Sequence, residues 1–469
     1  MKIASQREIP EPVHFIGAGG AGMSGIAAVL ACLGVAVTGS DLKVSRYTRH
    51  LEECGVRVSI GHRAEQVAGA AVVVISSAIP EGNPELQEAR RCGLPVLQRA
   101  EMLARIMAMR RGLAVAGTHG KTTTSSMISH VLHQCGKDPT FLVGGELNDI
   151  GSNAGVGQGE WLVAEADESD GSLLFLRPEL AVVTNVELDH HANYRCLDEV
   201  RDVFRRFVRL LPAEGRLVLA KGAGGDFLAA ETEATVVTYG IGAGDLVAEL
   251  ARADALGSEF EVSHDGEALG RVTLGVPGEH NVLNALAAIA TLAYAGVTLE
   301  EATPHLAGFS GAARRFQELG RARGVVVVDD YAHHPTEVVA TLKAATSGSY
   351  RRVIAVFQPH LFSRTRYLQR EFGRALALAD ETIVTDIFPA REEPEPGITG
   401  KLIVDAYLAE RPGGPVWYLP RIPDIVRHLE GRVREGDLVL TIGAGDVFHV
   451  GERLVAALSE VGAGSTVAG

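Results

Sequence analysis

Short, continuously apolar runs alternate along this chain with stretches whose apolar positions recur at helical spacing. Val13-His14-Phe15-Ile16 reads as a buried strand; a glycine-rich turn at residues 17–22 and a helix to Cys32 follow. Residues 35–41 form a second strand with an acidic end, and residues 71–80 a third that runs into a loop. Uninterrupted apolar strands separated by helices predict parallel sheets covered on both faces. Ligands of such sheets sit beyond the carboxyl ends of the strands. The pattern restarts at Leu113-Ala114-Val115 and continues through strands at 161–168 and 180–186, each ending in polar or acidic residues. Residues 226–274 carry short alternating strands and turns, which predict a small antiparallel addition. An alanine-rich helix follows at 282–295. A third unit begins near Gly311, with strands at 325–330, 353–357, 381–386 and 438–445. Its pattern is again doubly wound α/β.

Length agrees with several units, since 469 residues at roughly 100–200 per domain give two to four. A 46% hydrophobic, 22% charged composition is that of a globular protein. The formal charge of −14 argues against a nucleic-acid partner, and requires that an anionic substrate be gripped locally by loops and a few cations. Cys32, Cys54, Cys92, Cys135 and Cys196 are scattered without a C-x-x-C pair, so neither a zinc site nor a disulfide frame is expected. Most are read as small core residues in a reducing compartment. The first eight residues do not read as a signal peptide, and no apolar run reaches the roughly 18 residues that span a membrane. A cytoplasmic protein without membrane insertion is expected. Residues 392–396 and the last few residues look disordered.

The most informative motif is Ala116-Gly117-Thr118-His119-Gly120-Lys121-Thr122-Thr123-Thr124, between an apolar strand and a helix. Glycines there let backbone N–H groups approach phosphates, and the helix N-terminus adds partial positive charge. Lys121 would reach the β- and γ-phosphates, and Thr122 would hold Mg²⁺. Val115 stands where the full Walker pattern has glycine, so this is a variant P-loop. Glu165-Ala166-Asp167-Glu168-Ser169-Asp170 ends a neighbouring strand. Mg²⁺ prefers hard oxygen ligands, and Glu165 is placed to be one. A solvated acidic loop fits Glu168 or Asp170 better. His190 could ligate a second metal or orient a phosphate, although an isolated pair such as His190-His191 is more often surface or structural.

Gly17-x-Gly19-x-x-Gly22 after a strand, with Asp41 closing the next, matches the dinucleotide fingerprint. Taken alone it suggests a nicotinamide-dependent oxidoreductase, yet the same cradle fits any diphosphate, including that of a UDP-sugar. In the third unit, Asp330, Tyr331 and His333 end one strand and suit a small polar substrate. Arg364 and Arg366 follow the next strand and offer bidentate pairing to a carboxylate or phosphate.

Together, residues 15–27, 116–123, 165–170, 330–336 and 357–360 resemble the Mur ligases of bacterial cell-wall synthesis, in that family's motif order and over nearly the whole chain. The resemblance is greatest to the branch that joins L-alanine to UDP-N-acetylmuramate. It implies three domains: an N-terminal Rossmann-like domain for the UDP-sugar (1–108), a central P-loop ATPase-type domain with a mixed sheet (109–312), and a C-terminal Rossmann-like domain (313–469). ATP and Mg²⁺ are the implied cofactors, and UDP-N-acetylmuramate and L-alanine the implied substrates, acted on by a monomer or homodimer. It further implies that Gly117, Thr118, His119, Gly120, Lys121, Thr122, Thr123, Asn281, Arg315 and Asp330 contact ATP, and that Thr122, Glu165 and His190 hold metal. Gly17, Ala18, Gly19, Gly20, Gly22, Met23, Ser24, Asp41, Ser76, Ser77, Tyr331, His333, His360 and Arg364 would contact the other substrates. Lys121, His190, His333 and Arg364 form the implied catalytic set, with His333 an aid in deprotonating alanine.

Some positions depart from the family. Ala192 stands where an acidic residue is common, and Leu361-Phe362 replace a commoner Arg-Tyr. Relatives carry a carbamylated lysine that holds a second Mg²⁺, but the helix at 201–209 has arginines and no lysine, and Lys221 lies past the next strand. Unmodified lysine is expected. The implied reaction is ATP-dependent ligation through an acyl phosphate. Attachment of an intact tripeptide to the same nucleotide is the alternative within ligases. Folylpolyglutamate synthesis fits less well, lacking use for a UDP-sugar domain. An NAD(P)-dependent dehydrogenase and a nucleotide-gated binding protein without turnover are the readings from other classes.

Overall fold

Three sheets carry the chain in the computed structural model, which describes residues 9–190, 193–254, 257–390 and 392–463. The first contains β1 (Val13–Ile16), β2 (Val37–Asp41), β3 (Arg57–Ile60), β4 (Val72–Ile75) and β5 (Val96–Gln98), all parallel in the order β3-β2-β1-β4-β5. Around it lie α1 (Ala21–Cys32), α2 (Arg46–Glu53), α3 (Pro84–Arg91) and α4 (Arg99–Met107). The strand order reverses between β1 and β4, which opens a crevice at their carboxyl ends. The glycine turn after β1 and Ser76-Ser77 after β4 both lie there.

The second sheet has ten strands: β6 (Arg111–Ala116), β7 (Thr140–Leu147), β8 (Ser152–Gly155), β9 (Trp161–Glu165), β10 (Leu180–Val183), β11 (Arg216–Ala220), β12 (Thr235–Ile241), β13 (Leu246–Asp254), β14 (Gly257–His264) and β15 (Glu267–Leu274). β6 lies between β10 and β9 and pairs parallel with both. Four consecutive fully buried residues, Leu113 to Ala116, make it a central strand. α5 (Lys121–Gln134), α6 (Leu197–Val208), α7 (Glu279–Tyr294) and α8 (Leu299–Ala307) belong to this unit. The expected antiparallel addition exists as the meander β13-β14-β15, but it extends the main sheet through β12 rather than standing apart.

The third sheet, ordered β16-β17-β21-β18-β19-β20, comprises β16 (Gln317–Ala322), β17 (Val325–Asp330), β18 (Arg352–Phe357), β19 (Glu381–Val384), β20 (Val416–Tyr418) and β21 (Asp437–Ile442). Only the edge pair β16-β17 is antiparallel. α9 (Pro335–Thr346) and α10 (Phe362–Leu376) follow β17 and β18 and so start at the carboxyl edge of the sheet.

Two expectations are corrected. No cysteine is buried: Cys32, Cys92 and Cys196 are exposed, Cys54 and Cys135 partly so, and all are free. They sit at helix ends and caps, where side chains turn outward. Residues 392–396 are tied down rather than loose, because Glu392 accepts from the Ser363 backbone at 2.9 Å and Glu395 pairs with Arg366 at 2.7 Å. The N-terminal eight residues, Ala192 and the last six lie outside the described residues.

Candidate active site

β6 ends in a turn that requires glycine twice. Gly117 has φ +134° and Gly120 φ +81°, conformations that side-chain-bearing residues rarely adopt. A Cβ on Gly117 would collide with the Thr184 hydroxyl, and one on Gly120 would lie 2.5 Å from Asn284 Oδ1. The turn is held from β10, since the His119 N–H donates to Asn185 Oδ1 at 2.8 Å. The Thr118 hydroxyl accepts from the Glu187 N–H at 2.9 Å, so its side chain is already committed. α5 then starts at Lys121 with Thr122 and Thr123 buried in its first turn.

Lys121 Nζ donates to the carbonyls of Gly117 (2.6 Å) and Thr118 (3.2 Å) and to Glu168 Oε2 (2.8 Å). Burial disfavours its charge, but Glu168, Asp167 and Glu165 outweigh that and raise its pKa well above the usual lysine value. Glu168 is therefore no solvated loop residue. It is 1% exposed, its other oxygen lies 3.2 Å from His190 Nε2, and Tyr194 donates to its backbone carbonyl. Asp170 is exposed, as expected, and caps a turn at Ser172. The Thr122 hydroxyl donates to Glu165 Oε2 at 2.9 Å, and the Gly144 N–H reaches the same oxygen at 2.8 Å. A hydroxyl and a carboxylate meeting beside the glycine turn are a hard-oxygen set that fits Mg²⁺. His190, with φ +55°, bonds to Glu168 and makes no hydrogen bond to Thr122 or Glu165 among the described residues.

Between the middle and C-terminal units lies a cavity of about 260 Å³, lined in part by His119, Thr123, Asn281, Arg315 and Asp330. Asn281 is buried, donates to the Pro277 carbonyl at 2.7 Å and accepts from Asn284 Nδ2 at 3.1 Å. Asp330 accepts from the backbone N–H groups of Phe316 and Ala332, each at 2.8 Å. Burial pushes its pKa up to about 6, although Arg315 and those two N–H groups pull it down. Arg315 packs over the Tyr331 ring at 5.3 Å and lies 3.9 Å from Glu337. His119 stands between Glu337 (3.3 Å) and Glu187 (3.5 Å); burial opposes its charge, but the two carboxylates lift it to about 9.

The remaining third-unit residues converge on one point. Arg364, 3% exposed, grips Asp189 with two nitrogens at 2.9–3.1 Å, and its third nitrogen is 3.0 Å from His360 Nδ1. Asp189 is held well below the usual carboxylate range, because Arg364 and the neighbouring histidines outweigh the opposing effect of burial. The rings of His333 and His360 are 5.9 Å apart, and His333 Nδ1 is 3.0 Å from the Tyr331 carbonyl. Burial pushes His333 down to about 3 against the pull of Glu337, so it is neutral and weakly basic.

A second cavity, of about 170 Å³, separates the N-terminal and middle units and is lined by Gly22, Arg99, Gly144, Asn153, Glu165 and Asp167 among others. Gly17 (φ +77°) and Gly19 form the turn beside it. Asp41 accepts from the Gly19 N–H at 2.8 Å, bracing the turn. Ala18, Met23 and Ser24 turn their side chains inward, and the Ser24 hydroxyl donates to the Ala21 carbonyl at 3.0 Å, so these residues offer a ligand their backbone groups. Gly20 and Ser77 are exposed and Ser76 partly so.

Glu168, Asn185, Glu187, Asp189, Asn284, Glu337 and Arg99 were not singled out in the sequence as site residues, yet all meet the expected ones. Asn284 could have been found, because it lies one turn after Asn281 on the same helix face. Lys221 is about half exposed and faces Asp226 at 3.6 Å.

Family models match the chain in order: Mur ligase family, catalytic domain, over residues 12–111; Mur ligase middle domain over 115–292; and Mur ligase, glutamate ligase domain over 314–445. The chain is 53% identical over 453 residues to the UDP-N-acetylmuramate–L-alanine ligase of Rubrobacter xylanophilus, covering 95% of this chain and all of that one. It is 47% identical over 449 residues to the enzyme of the same name from Geobacter sp. strain M21, covering 95% and 97%. Among solved structures, it is similar to UDP-N-acetylmuramate-alanine ligase from Thermotoga maritima at 30% identity and a TM-score of 0.80, covering 95% of this chain and 98% of that one. A murein peptide ligase from Psychrobacter arcticus matches at 28% identity and a TM-score of 0.71 over the same shares. With three family models in register and relatives of this identity along almost its full length, the chain belongs to the Mur ligase family.

Proposed function

We propose that this chain joins L-alanine to the carboxylate of UDP-N-acetylmuramate at the expense of ATP, which leaves as ADP and phosphate, in peptidoglycan precursor synthesis. The observation that carries the reading is the glycine turn with Lys121, Thr122 and Glu165 set between two cavities, one on each side. The names and identity of the full-length relatives support the choice of substrates. Division near residues 108 and 312 follows the gaps between the three sheets. Among the described residues no helix is long and apolar enough to cross a membrane, and we place the reaction in the cytoplasm.

The chemistry follows from the poor leaving group of a carboxylate. A muramoyl carboxylate oxygen attacks the γ-phosphorus, the bond to the β-bridging oxygen breaks, and ADP leaves. Lys121 would exchange Glu168 for the triphosphate, stabilising charge on the transferring group. Thr122 and Glu165 are assigned to Mg²⁺, which neutralises phosphate charge when bound; His190, through Glu168, keeps the same segment in place. The neutral amine of L-alanine then attacks the acyl carbon, the C–O bond to phosphate breaks, and the extra proton on nitrogen passes to the departing phosphate. We assign His333 to this end of the site as a neutral hydrogen-bond partner, since a ring held near pKa 3 is a poor base. Asn281, Arg315, Asp330 and His119 surround the nucleotide, and Tyr331, His360 and Arg364 the amino acid.

The test is coupled ADP release with UDP-N-acetylmuramate and L-alanine, glycine, L-serine or the murein tripeptide in turn. Release with L-alanine above the others, and an amide product by mass, is expected. Preference for the tripeptide would move the chain to the recycling reaction, and no release with any acceptor would overturn the reading.

A further inference from the structure

A third cavity, of about 200 Å³, lies within the middle unit between α7, α8 and strands β11 to β15. It belongs to neither seam between units. Asn281 in the first turn of α7 lines the cavity assigned above to the nucleotide, whereas Ile289, about 12 Å further along the same helix, lines this one. Arg216 opens β11 and so stands at the amino edge of the sheet, opposite the glycine turn that follows β6. The floor is apolar: Leu246, Ile289, Leu292, Val297 and Ala302 are each at most 4% exposed. Close-packed cores leave few voids larger than a water molecule, so a space of this size beside them is unusual.

In a chain of formal charge −14, the ionisable groups at this cavity are both bases. Arg216 and His264 line it, and no carboxylate does among the described residues. His264 has Asp265 at 3.7 Å. The Arg216 side chain makes no hydrogen bond or ion pair among the described residues, and its Nε is buried without an acceptor. The nearby Glu179, whose backbone carbonyl accepts from the Arg216 N–H, has its carboxylate taken by Arg111 Nε at 2.9 Å and the Tyr294 hydroxyl at 2.8 Å. The Arg216 guanidinium lies 5.1 Å from the centre of the Tyr294 ring, which steadies the charge but accepts no in-plane hydrogen bond. A buried donor left unsatisfied is costly, and an anion that reached it would remove that cost.

We propose that this cavity binds a small amphiphile with one carboxylate, its apolar tail among α7, α8 and the sheet and its carboxylate on Arg216. An apolar cavity of about 150 Å³ holds a benzene ring, so this one takes a tail of roughly six to eight carbons. The planar guanidinium pairs with both carboxylate oxygens. A phosphate fits less well, because an apolar wall leaves its remaining oxygens without donors. The assignment does not depend on the ligase reading, which places no substrate group here.

Calorimetric titration of the full chain with octanoate and with octanamide, its uncharged counterpart, tests the site without turnover. Octanoate should bind the wild type, and octanamide about 10- to 100-fold more weakly, as expected for lost charge-assisted hydrogen bonds. Arg216→Met keeps the stem and removes the charge. It should weaken octanoate by a similar factor and leave octanamide unchanged. Leu269→Glu, at an exposed position on the rim, should weaken octanoate alone. Ala290→Phe fills the floor and should abolish binding of both. Melting midpoints near that of the wild type report intact folding; if Ala290→Phe melts early, the two variants on the rim decide. No octanoate binding to the wild type at millimolar concentration would overturn the proposal. So would equal affinity for octanamide, which would mark an apolar packing void. Octanoate affinity unchanged in Arg216→Met would place the ligand elsewhere and overturn it as well.

Discussion

Single side chains at this site are set against internal partners that substrates must replace. Lys121 is bonded to Glu168, and removing its ammonium leaves a buried carboxylate unpaired as well as a phosphate ungripped. Lys121→Ala should lower ADP release by at least about 10²–10³-fold. Glu165→Gln keeps the shape but removes the charge, and should raise the Mg²⁺ concentration for half-maximal activity by about tenfold, read by metal titration at saturating substrates. Asp330 lines the cavity between the middle and C-terminal units, and burial shifts its titration upward. Its folded pKa of about 6 is raised by burial above the ordinary value, so its protonated form favours the folded state at low pH. That contribution is lost as pH rises through 6. Above 6 the carboxylate is ionised and accepts hydrogen bonds, so ATP affinity should weaken as pH falls through about 6. Asp330→Asn should lack that inflection.

At the scale of elements, the turn between β6 and α5 has no room for a side chain at Gly117 or Gly120. Thr184 and Asn185, just past the end of β10, and Asn284 on α7 close on it from two sides, so its glycines have neither space nor freedom for a side chain. Gly117→Ala should lower stability by about 1–3 kcal/mol through its φ alone, with the clash on Thr184 in addition. Thermal melting measures this, and ATP protection against melting should disappear with it.

Across the whole molecule the two seams differ in kind. One hydrophobic core runs from Ile26 and Met102 of the N-terminal unit to Leu142 and Leu173 of the middle unit. The C-terminal unit meets the middle one through polar groups: Arg364 on Asp189, Thr336 donating to Glu187 at 2.8 Å, and Glu337 against His119. Polar seams of this kind can part and reclose as substrates exchange, whereas a shared core cannot. Asp189→Asn should cost about 3–5 kcal/mol by leaving the buried Arg364 without its charge partner. Small-angle scattering should then show a larger radius. Because the Asp189 pKa is depressed, its contribution is present above the ordinary carboxylate value and fades as pH falls below about 4. The melting difference between wild type and Asp189→Asn should shrink over that range.

Local signals were enough for much of this protein. Buried strands such as Leu113–Ala116 show as unbroken apolar runs because both faces of a parallel sheet are covered. The glycine turns show because no other residue takes their backbone angles. The order of motifs marked the family, and with it the three-unit plan. Tertiary structure decided what shares no local pattern. Glu168 looked like one carboxylate in an acidic loop until folding buried it against Lys121 and His190, and Asp189 had no visible partner 175 residues away. Arg99 is one of many arginines until the cavity leaves it facing two carboxylates. Periodicity reports which face of an element is covered, whereas the partner of a charge depends on how distant elements dock, and no stretch of sequence contains that.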